Sequence, residues 1–219
     1  MPMNRTRLSK AFTLIELLIV ISIMAILLTL AALAAGDMIN SIRMRDAIET
    51  VRSQFESARQ TASTQNTAVL IRIYREPDEF GNLQWSAIEF GTADLDLDPD
   101  SPDFQNPEAP NFEIPIKSLG PIQRLPESHV FHPSTTYSTL LSGTAPLQSG
   151  TFRGVDNVDR PYISFVFLPD GRTNLPTTTN WTLTIVKAQD LLVSPTALPS
   201  NYTTLELAPT TSRLRTYRP

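Results

Sequence analysis

The 219-residue chain contains no cysteine. Disulfide bonds, thiol nucleophiles and cysteine-based metal sites are therefore excluded, and packing alone must hold any folded domain together. Histidine occurs only at His129 and His132, and the net charge of −4 is too small to indicate a polyanionic partner. The chain has no phosphate-binding loop, no serine-nucleophile elbow and no zinc-protease helix motif. We therefore expect no enzymatic activity and no required cofactor.

Proline is missing from the whole stretch between Pro2 and Pro77, although the chain has 18 prolines. A proline-free stretch can form a long helix, whereas frequent prolines after Pro77 are typical of short strands joined by turns. This order predicts an α+β fold, in which a long N-terminal helix packs on an antiparallel β-sheet domain.

The proline-free stretch begins with an apolar run from Phe12 to Ala35 that contains one charge, Glu16. A helix of this length measures about 36 Å, which is enough to cross a hydrocarbon core of about 30 Å. Three cations precede the run, at Arg5, Arg7 and Lys10. Positive residues favour the cytoplasmic side, so we expect a single transmembrane helix with everything after it outside the cytoplasm.

Glu16 is costly in such a helix, because an intramembrane carboxylate carries a penalty of about 2.5–3.5 kcal/mol on insertion scales. The sequence Ala11-Phe12-Thr13-Leu14-Ile15-Glu16-Leu17-Leu18 resembles the cleavage and methylation motif of type IV prepilins and type II secretion pseudopilins. The resemblance implies that a prepilin peptidase cuts between Ala11 and Phe12, that Phe12 is N-methylated, and that Glu16 serves assembly with other pilins. Ala11 stands where the family usually has glycine.

The resemblance also suggests why assembly would need the charge. The Glu16 carboxylate of one subunit can pair with the new amine of Phe12 on a neighbour, which offsets part of the cost of placing it in lipid. It further implies a bacterial inner-membrane protein with a periplasmic globular domain, assembled into a secretion pseudopilus or a pilus-like fibre for protein transport.

An ordinary secretory signal peptide is the alternative. Ala32-Leu33-Ala34 offers a small-residue cleavage site, and cleavage there would release a soluble domain. The length of the run and the presence of Glu16 favour the prepilin interpretation, because ordinary signal cores are shorter and uncharged.

The rest of the chain is predicted in segments. Residues 1–11 form a leader and residues 36–66 an amphipathic helix, whose apolar face we expect to pack on a sheet. Residues 67–219 form the β-rich domain, with a flexible acidic insert near residues 92–111 and an irregular stretch over 134–156. The predicted strands cover residues 68–74, 83–90, 112–116, 129–131, 162–168, 181–187, 202–207 and 213–217.

Three further segments resemble the minor pseudopilin H and fimbrial T proteins. They are the Arg-rich helix tail from Arg52 to Arg59, the strand end Phe167-Leu168-Pro169-Asp170-Gly171, and Arg213-Leu214-Arg215 near the C-terminus. In fimbrial T relatives a similar tail is linked to DNA contact. This makes a filament-tip module that captures DNA or an exoprotein the alternative function, through Arg213, Arg215 and Arg218. Three arginines give only modest, salt-sensitive affinity, so we do not expect nucleic acid as the main partner.

Two candidate metal sites are weaker. Asp94, Asp96, Asp98 and Asp100 alternate as in a calcium loop, but Pro99 and Gln105 occupy the positions where an EF-hand needs glycine and glutamate. An irregular calcium site and a solvated acidic loop both remain open. His129 and His132 supply only two ligands, whereas a metal usually needs three or four, so we expect ordinary side chains at a strand edge.

Overall fold

A computed structural model of the chain describes residues 13–93, 116–144, 147–153 and 157–219, without the side chains of residues 30–37 and 93. It contains a long helix α1 followed by antiparallel strands and one short helix, which confirms the predicted α+β class. The helices are α1 (Leu14–Gln65), a 3-10 turn (Thr139–Leu141) and α2 (Ala188–Val193). The strands are β1 (Val69–Pro77), β2 (Leu83–Ala93), β3 (Ile116–Ser118), β4 (Gln123–Arg124), β5 (His129–Phe131), β6 (Gln148–Arg153), β7 (Asp159–Phe167), β8 (Trp181–Lys187), β9 (Thr203–Ala208) and β10 (Arg213–Tyr217).

The chain divides into two compact units, residues 1–42 and residues 43–219. The first unit is described from Thr13 onward and consists of the N-terminal part of α1. Within the described residues, no helix combines the length and the apolar character needed to cross a membrane. The span predicted from the sequence includes Phe12 and the side chains of residues 30–35, which lie outside the described part of the chain.

The second unit contains two antiparallel sheets. Sheet A has the strand order β3-β2-β1-β7-β6, with β4 pairing separately with β2, and sheet B has the order β10-β9-β8-β5. β1 lies between its hairpin partner β2 and the distant β7, with Ile71 opposite both Phe90 and Phe165. The predicted hairpin of β1 and β2 is therefore confirmed, and β1 is the central strand of sheet A.

The apolar face of α1 supplies one side of the core. All five residues predicted for this face are buried: Ile48, Val51, Phe55, Ala58 and Ala62. Phe55 contacts two aromatic rings of β7, with centroid distances of 5.7 Å to Phe165 and 5.9 Å to Phe167. The prediction that this stripe packs on a sheet is confirmed.

The bounds of the predicted strands need correction: β1 ends at Pro77 and β7 begins at Asp159, each three residues beyond its predicted bound, and β4 was not predicted. β2 extends to Ala93, three residues beyond its expected end, because Val69 pairs with Thr92 and Ala93 pairs with Ile116 of β3. The acidic insert therefore begins after Ala93. Gly91 permits this pairing, since a Cβ atom there would collide with the carbonyl oxygen of Lys117. Of the strand predicted over residues 112–116, only Ile116 is described, as the first residue of β3.

The stretch over residues 134–156 is not irregular throughout. It contains the 3-10 turn and β6, which pairs with β7 from Gln148 opposite Ser164 to Arg153 opposite Asp159. β6 is almost entirely exposed, so it lacks the apolar alternation that identifies a half-buried strand. The short helix α2 was also not predicted.

Candidate functional site

The N-terminus of α1 is closed by two side chains that bond reciprocally. The backbone N–H of Glu16 donates to Thr13 Oγ1 at 3.3 Å, and the backbone N–H of Thr13 donates to Glu16 Oε2 at 3.5 Å. Leu17 N–H donates to the Thr13 carbonyl at 3.2 Å, which starts the helix. This arrangement is a capping box, with Thr13 as the N-cap and Glu16 three residues later. The carboxylate also lies at the positive end of the helix dipole.

Sequence analysis assigned Glu16 but missed Thr13. The signal was present, because threonine followed three residues later by glutamate at the head of an apolar run is the sequence signature of a capping box. Ala11 and Phe12, the two residues of the predicted cleavage site, lie outside the described part of the chain.

The helix that follows Glu16 presents its apolar side chains to the surface. Every large apolar side chain from Leu14 to Leu28 is at least 44% exposed within the chain itself. A soluble monomer rarely exposes so much contiguous apolar surface, and such surface marks an interaction with protein or membrane. The exposed apolar segment, residues 14–28, is therefore a candidate interaction site.

The C-terminal arginines lie on an edge strand. Arg213 and Arg215 are exposed on β10, whose intervening Leu214 is only partly buried against the core, and Arg218 is exposed just after the strand. Tyr217 has the same alternation as the two arginines and is 48% exposed. Ser212 lies in the turn just before this strand at a φ of +53°, where a glycine is normally favoured, and its hydroxyl donates to the Gly171 carbonyl at 2.8 Å. The structure therefore places Arg213 and Arg215 on one face.

The two histidines are buried, although β5 is an edge strand of sheet B. His129 is 1% exposed and His132 is fully buried. His129 Nδ1 lies 2.9 Å from the Ser128 hydroxyl, and His132 Nδ1 accepts the Ser134 N–H at 3.1 Å. Among the described residues the Nε2 atom of His129 has no hydrogen-bond partner, whereas a backbone hydrogen bond with Ala197 acts to raise the pKa of His132. Burial is the main cause that lowers the pKa of both imidazoles.

The described residues contain no group of three or more His, Asp or Glu side chains that could hold a metal ion. The histidines are therefore not joined there by a third ligand. Asp94, Asp96, Asp98 and Asp100, the residues of the calcium alternative, lie outside the described part of the chain.

A buried polar layer lies on the face of sheet A opposite Ile71 and Ile73, and sequence analysis did not find it. The Tyr74 hydroxyl donates to Glu89 at 2.6 Å, and burial together with Glu89 raises the pKa of this tyrosine. Glu76 accepts bonds from Arg160 Nε at 2.9 Å and from Arg124 Nη2 at 3.3 Å. These ionic groups are paired with one another, as buried charges must be. The layer therefore fulfils a structural need and provides no unengaged acid or base.

The comparison with known families bears on the segment that includes the capping box. Residues 6–32 match the family described as the prokaryotic N-terminal methylation motif. The chain has a type IV prepilin N-terminus. This confirms the predicted relation to type IV prepilins and pseudopilins. The match covers about an eighth of the chain, so the finer resemblance to pseudopilin H and fimbrial T stays a prediction. No curated protein and no solved structure matches the chain significantly.

Proposed function

We propose that this chain is a structural subunit of the pseudopilin type. A prepilin peptidase removes residues 1–11, the N-terminal helix stays in the inner membrane with Phe12 as the new first residue of the chain, and the β-rich domain lies in the periplasm. Subunits then assemble through their N-terminal helices into a type II secretion pseudopilus or a type IV pilus-like fibre that serves protein transport. The observation that carries the proposal is that the exposed apolar segment lies within the methylation motif.

The exposed apolar segment requires a cover. Burying a large aliphatic side chain contributes about 1.5–3 kcal/mol, and twelve such side chains lie between Leu14 and Leu28. Lipid covers them before assembly, and neighbouring helices cover them in a fibre. Both states keep the segment out of water, so the same surface can serve first as an anchor and then as an assembly interface.

Glu16 provides the difference between these two states. In a lone subunit its carboxylate is held at the head of α1 by the capping box with Thr13. The capping box itself supplies no cation, and lipid solvates the charge poorly. In the fibre, the Phe12 amine of a neighbour supplies that partner. Assembly therefore relieves a penalty that the isolated subunit carries.

The test separates charge from capping. Glu16→Gln keeps an oxygen that can accept the Thr13 N–H but removes the charge, Glu16→Ala removes both, and Thr13→Ala keeps the charge. We expect all three variants to fractionate with membranes. Fibre yield, measured by shearing and immunoblotting, should fall strongly in both Glu16 variants and much less in Thr13→Ala. Fibre formation by Glu16→Gln at the wild-type level would contradict the proposed role of the charge.

A second candidate function is a filament-tip module that captures DNA or an exoprotein. The observation in its favour is that Arg213 and Arg215 share the exposed face of β10 with Tyr217.

A third candidate is a soluble secreted domain released by ordinary signal cleavage near Ala34. The mature N-terminus distinguishes this third candidate from the other two.

A further inference from the structure

His129 carries a buried polar atom that has no partner. Its side chain is 1% exposed, its Nδ1 lies 2.9 Å from the Ser128 hydroxyl, and its Nε2 has no hydrogen-bond partner among the described residues. Buried polar atoms in folded proteins are almost always hydrogen-bonded, so an unpartnered one needs an explanation. In the tautomer that donates from Nδ1 to this hydroxyl, Nε2 is the basic nitrogen that takes up a proton in acid.

The charged groups around His129 are mostly positive. Lys187 of β8 lies opposite it in the strand register, and Arg43 of α1 also disfavours the imidazolium. Asp190 of α2 is the one negative group that acts on His129 in the described part of the chain. β2 also lies beside β5, but its single charged residue, Glu89, accepts a tyrosine hydroxyl. A proton on Nε2 therefore adds a third positive charge to a buried site that has one carboxylate.

β5 is the element that this charge would displace. It pairs over three residues, and β8 is its only strand partner within the described ranges. Two backbone bonds flank the pairing: the Ala188 N–H donates to the Ser128 carbonyl at 3.0 Å, and the His132 N–H donates to the Thr184 carbonyl at 2.8 Å. A strand held by so few bonds can separate locally, whereas β8 keeps its five-residue pairing with β9.

We propose that His129 is an acid-sensitive switch that controls the pairing of β5 with β8. A proton from water binds Nε2, and the imidazolium, which lacks a buried acceptor there, drives β5 off the sheet while the rest of the domain stays folded. Separation hydrates the imidazolium and moves it away from Lys187. It also uncovers the backbone edge of β8, and an open strand edge is a template for pairing with another chain. This inference does not depend on the proposed function.

The direction of the effect follows from proton binding. Burial and the two cations hold the pKa of His129 below its ordinary value, whereas in the opened state the imidazole meets water and titrates near 6.5. The opened state therefore binds more protons in acid, and opening is favoured as the pH falls through about 6.5. One such group changes the opening equilibrium by at most about tenfold between pH 7.5 and pH 5.5.

Hydrogen exchange of the full-length chain in micelles of a neutral detergent tests the switch. Exchange is followed at both pH values by mass spectrometry with electron-transfer fragmentation, and each rate is divided by the intrinsic rate at that pH. The protection of the Ala188 and His132 amides should fall by up to about tenfold from pH 7.5 to pH 5.5. At pH 5.5 it should be lower than that of the β1 amides and should change little in 1 M urea, because a local opening exposes little surface.

Two pairs of variants identify the titrating group through the Ala188 amide. His129→Asn cannot titrate and should lose the pH response, whereas His132→Asn should keep most of it, since burial alone lowers the pKa of His132. Lys187→Met removes a cation that opposes the imidazolium and should reduce the response. Lys117→Met changes an exposed lysine of β3 and should leave the response unchanged. The ratio between the two pH values is compared within each variant, so a general loss of stability does not obscure the result.

Three results would overturn the proposal. The first is exchange of the Ala188 and His132 amides with the protection and urea dependence of the β1 amides, which would mean that β5 separates only on global unfolding. The second is an unchanged pH response in His129→Asn. The third is an NMR titration of the His129 ring that gives a pKa at or above 6.5 in the folded protein. None of these measurements requires a fibre, so each would leave the proposed function intact.

Discussion

At the scale of single residues, Glu16 has a role in the isolated chain before any neighbour is present. The capping box gives its carboxylate a fixed place at the head of α1, next to the residue where the predicted mature chain begins. A carboxylate held in this position needs little further ordering to meet an amine from an adjacent subunit. The residue identified by its cost in lipid is therefore also a local helix determinant.

The buried histidines predict acid sensitivity. Burial lowers the pKa of His129, as do Lys187 of β8 and Arg43 of α1, while Asp190 of α2 opposes them. Burial also lowers the pKa of His132, which packs against the Tyr137 ring. The unfolded chain therefore binds more protons than the folded chain below about pH 6.5, so stability falls as the pH decreases through that range.

The measurement is thermal unfolding at pH 7.5 and pH 5.5. We expect a lower midpoint at pH 5.5, and a smaller difference for the His129→Asn/His132→Asn variant, because asparagine does not titrate. An unchanged midpoint in the wild-type protein would contradict the burial of neutral imidazoles.

Phe55 predicts a large loss of stability. It is 1% exposed and lies within 6 Å of two aromatic ring centroids. Phe55→Ala should lower the free energy of unfolding by about 3–5 kcal/mol, because it leaves a cavity between α1 and β7. The matched control is Phe80→Ala in the β1–β2 turn, where the ring is 86% exposed, and it should change stability by less than about 0.5 kcal/mol. The free energy of unfolding is measured by urea titration. An equal decrease in Phe55→Ala and Phe80→Ala would contradict the described core.

At the scale of elements, a buried face makes a strand easier to predict. β8 was predicted with its bounds because Trp181, Leu183 and Ile185 alternate with threonines and lie in the core. β6 was missed because its stability comes from backbone pairing with β7, and its Ser, Gly and Thr side chains carry no burial pattern. α2 was missed because six residues are too few for a helical period to appear.

The polar layer of sheet A predicts a difference between breaking and replacing an ion pair. Glu76→Met leaves the buried Arg160 without its carboxylate and should cost about 3–5 kcal/mol. The double variant Glu76→Met/Arg160→Met removes both charges and should cost clearly less. Free energies of unfolding from urea titration give the comparison. If the free energy of unfolding lost in the double variant equals the sum of the losses in Glu76→Met and Arg160→Met, the two charges do not depend on each other.

At the scale of the whole molecule, composition and periodicity were sufficient for the α+β class, the long helix and its buried face. The methylation motif was also readable, since it combines an aromatic residue, a charge and an apolar run within a few positions. The polar layer was not readable, because Glu76, Glu89 and Arg160 look like solvent-facing residues until the strands bring them together. The burial of both histidines was not readable either, because β5 is too short to show which of its faces is covered and His132 lies just after it.

The central claim is that the exposed apolar segment is kept in the mature protein behind a cut before Phe12. Mass spectrometry of the N-terminal peptide from native membranes tests this most directly. The account predicts a single terminus at N-methylated Phe12, still attached to Glu16 and the helix. An intact leader, or a terminus after Ala34 on a released soluble domain, would contradict it.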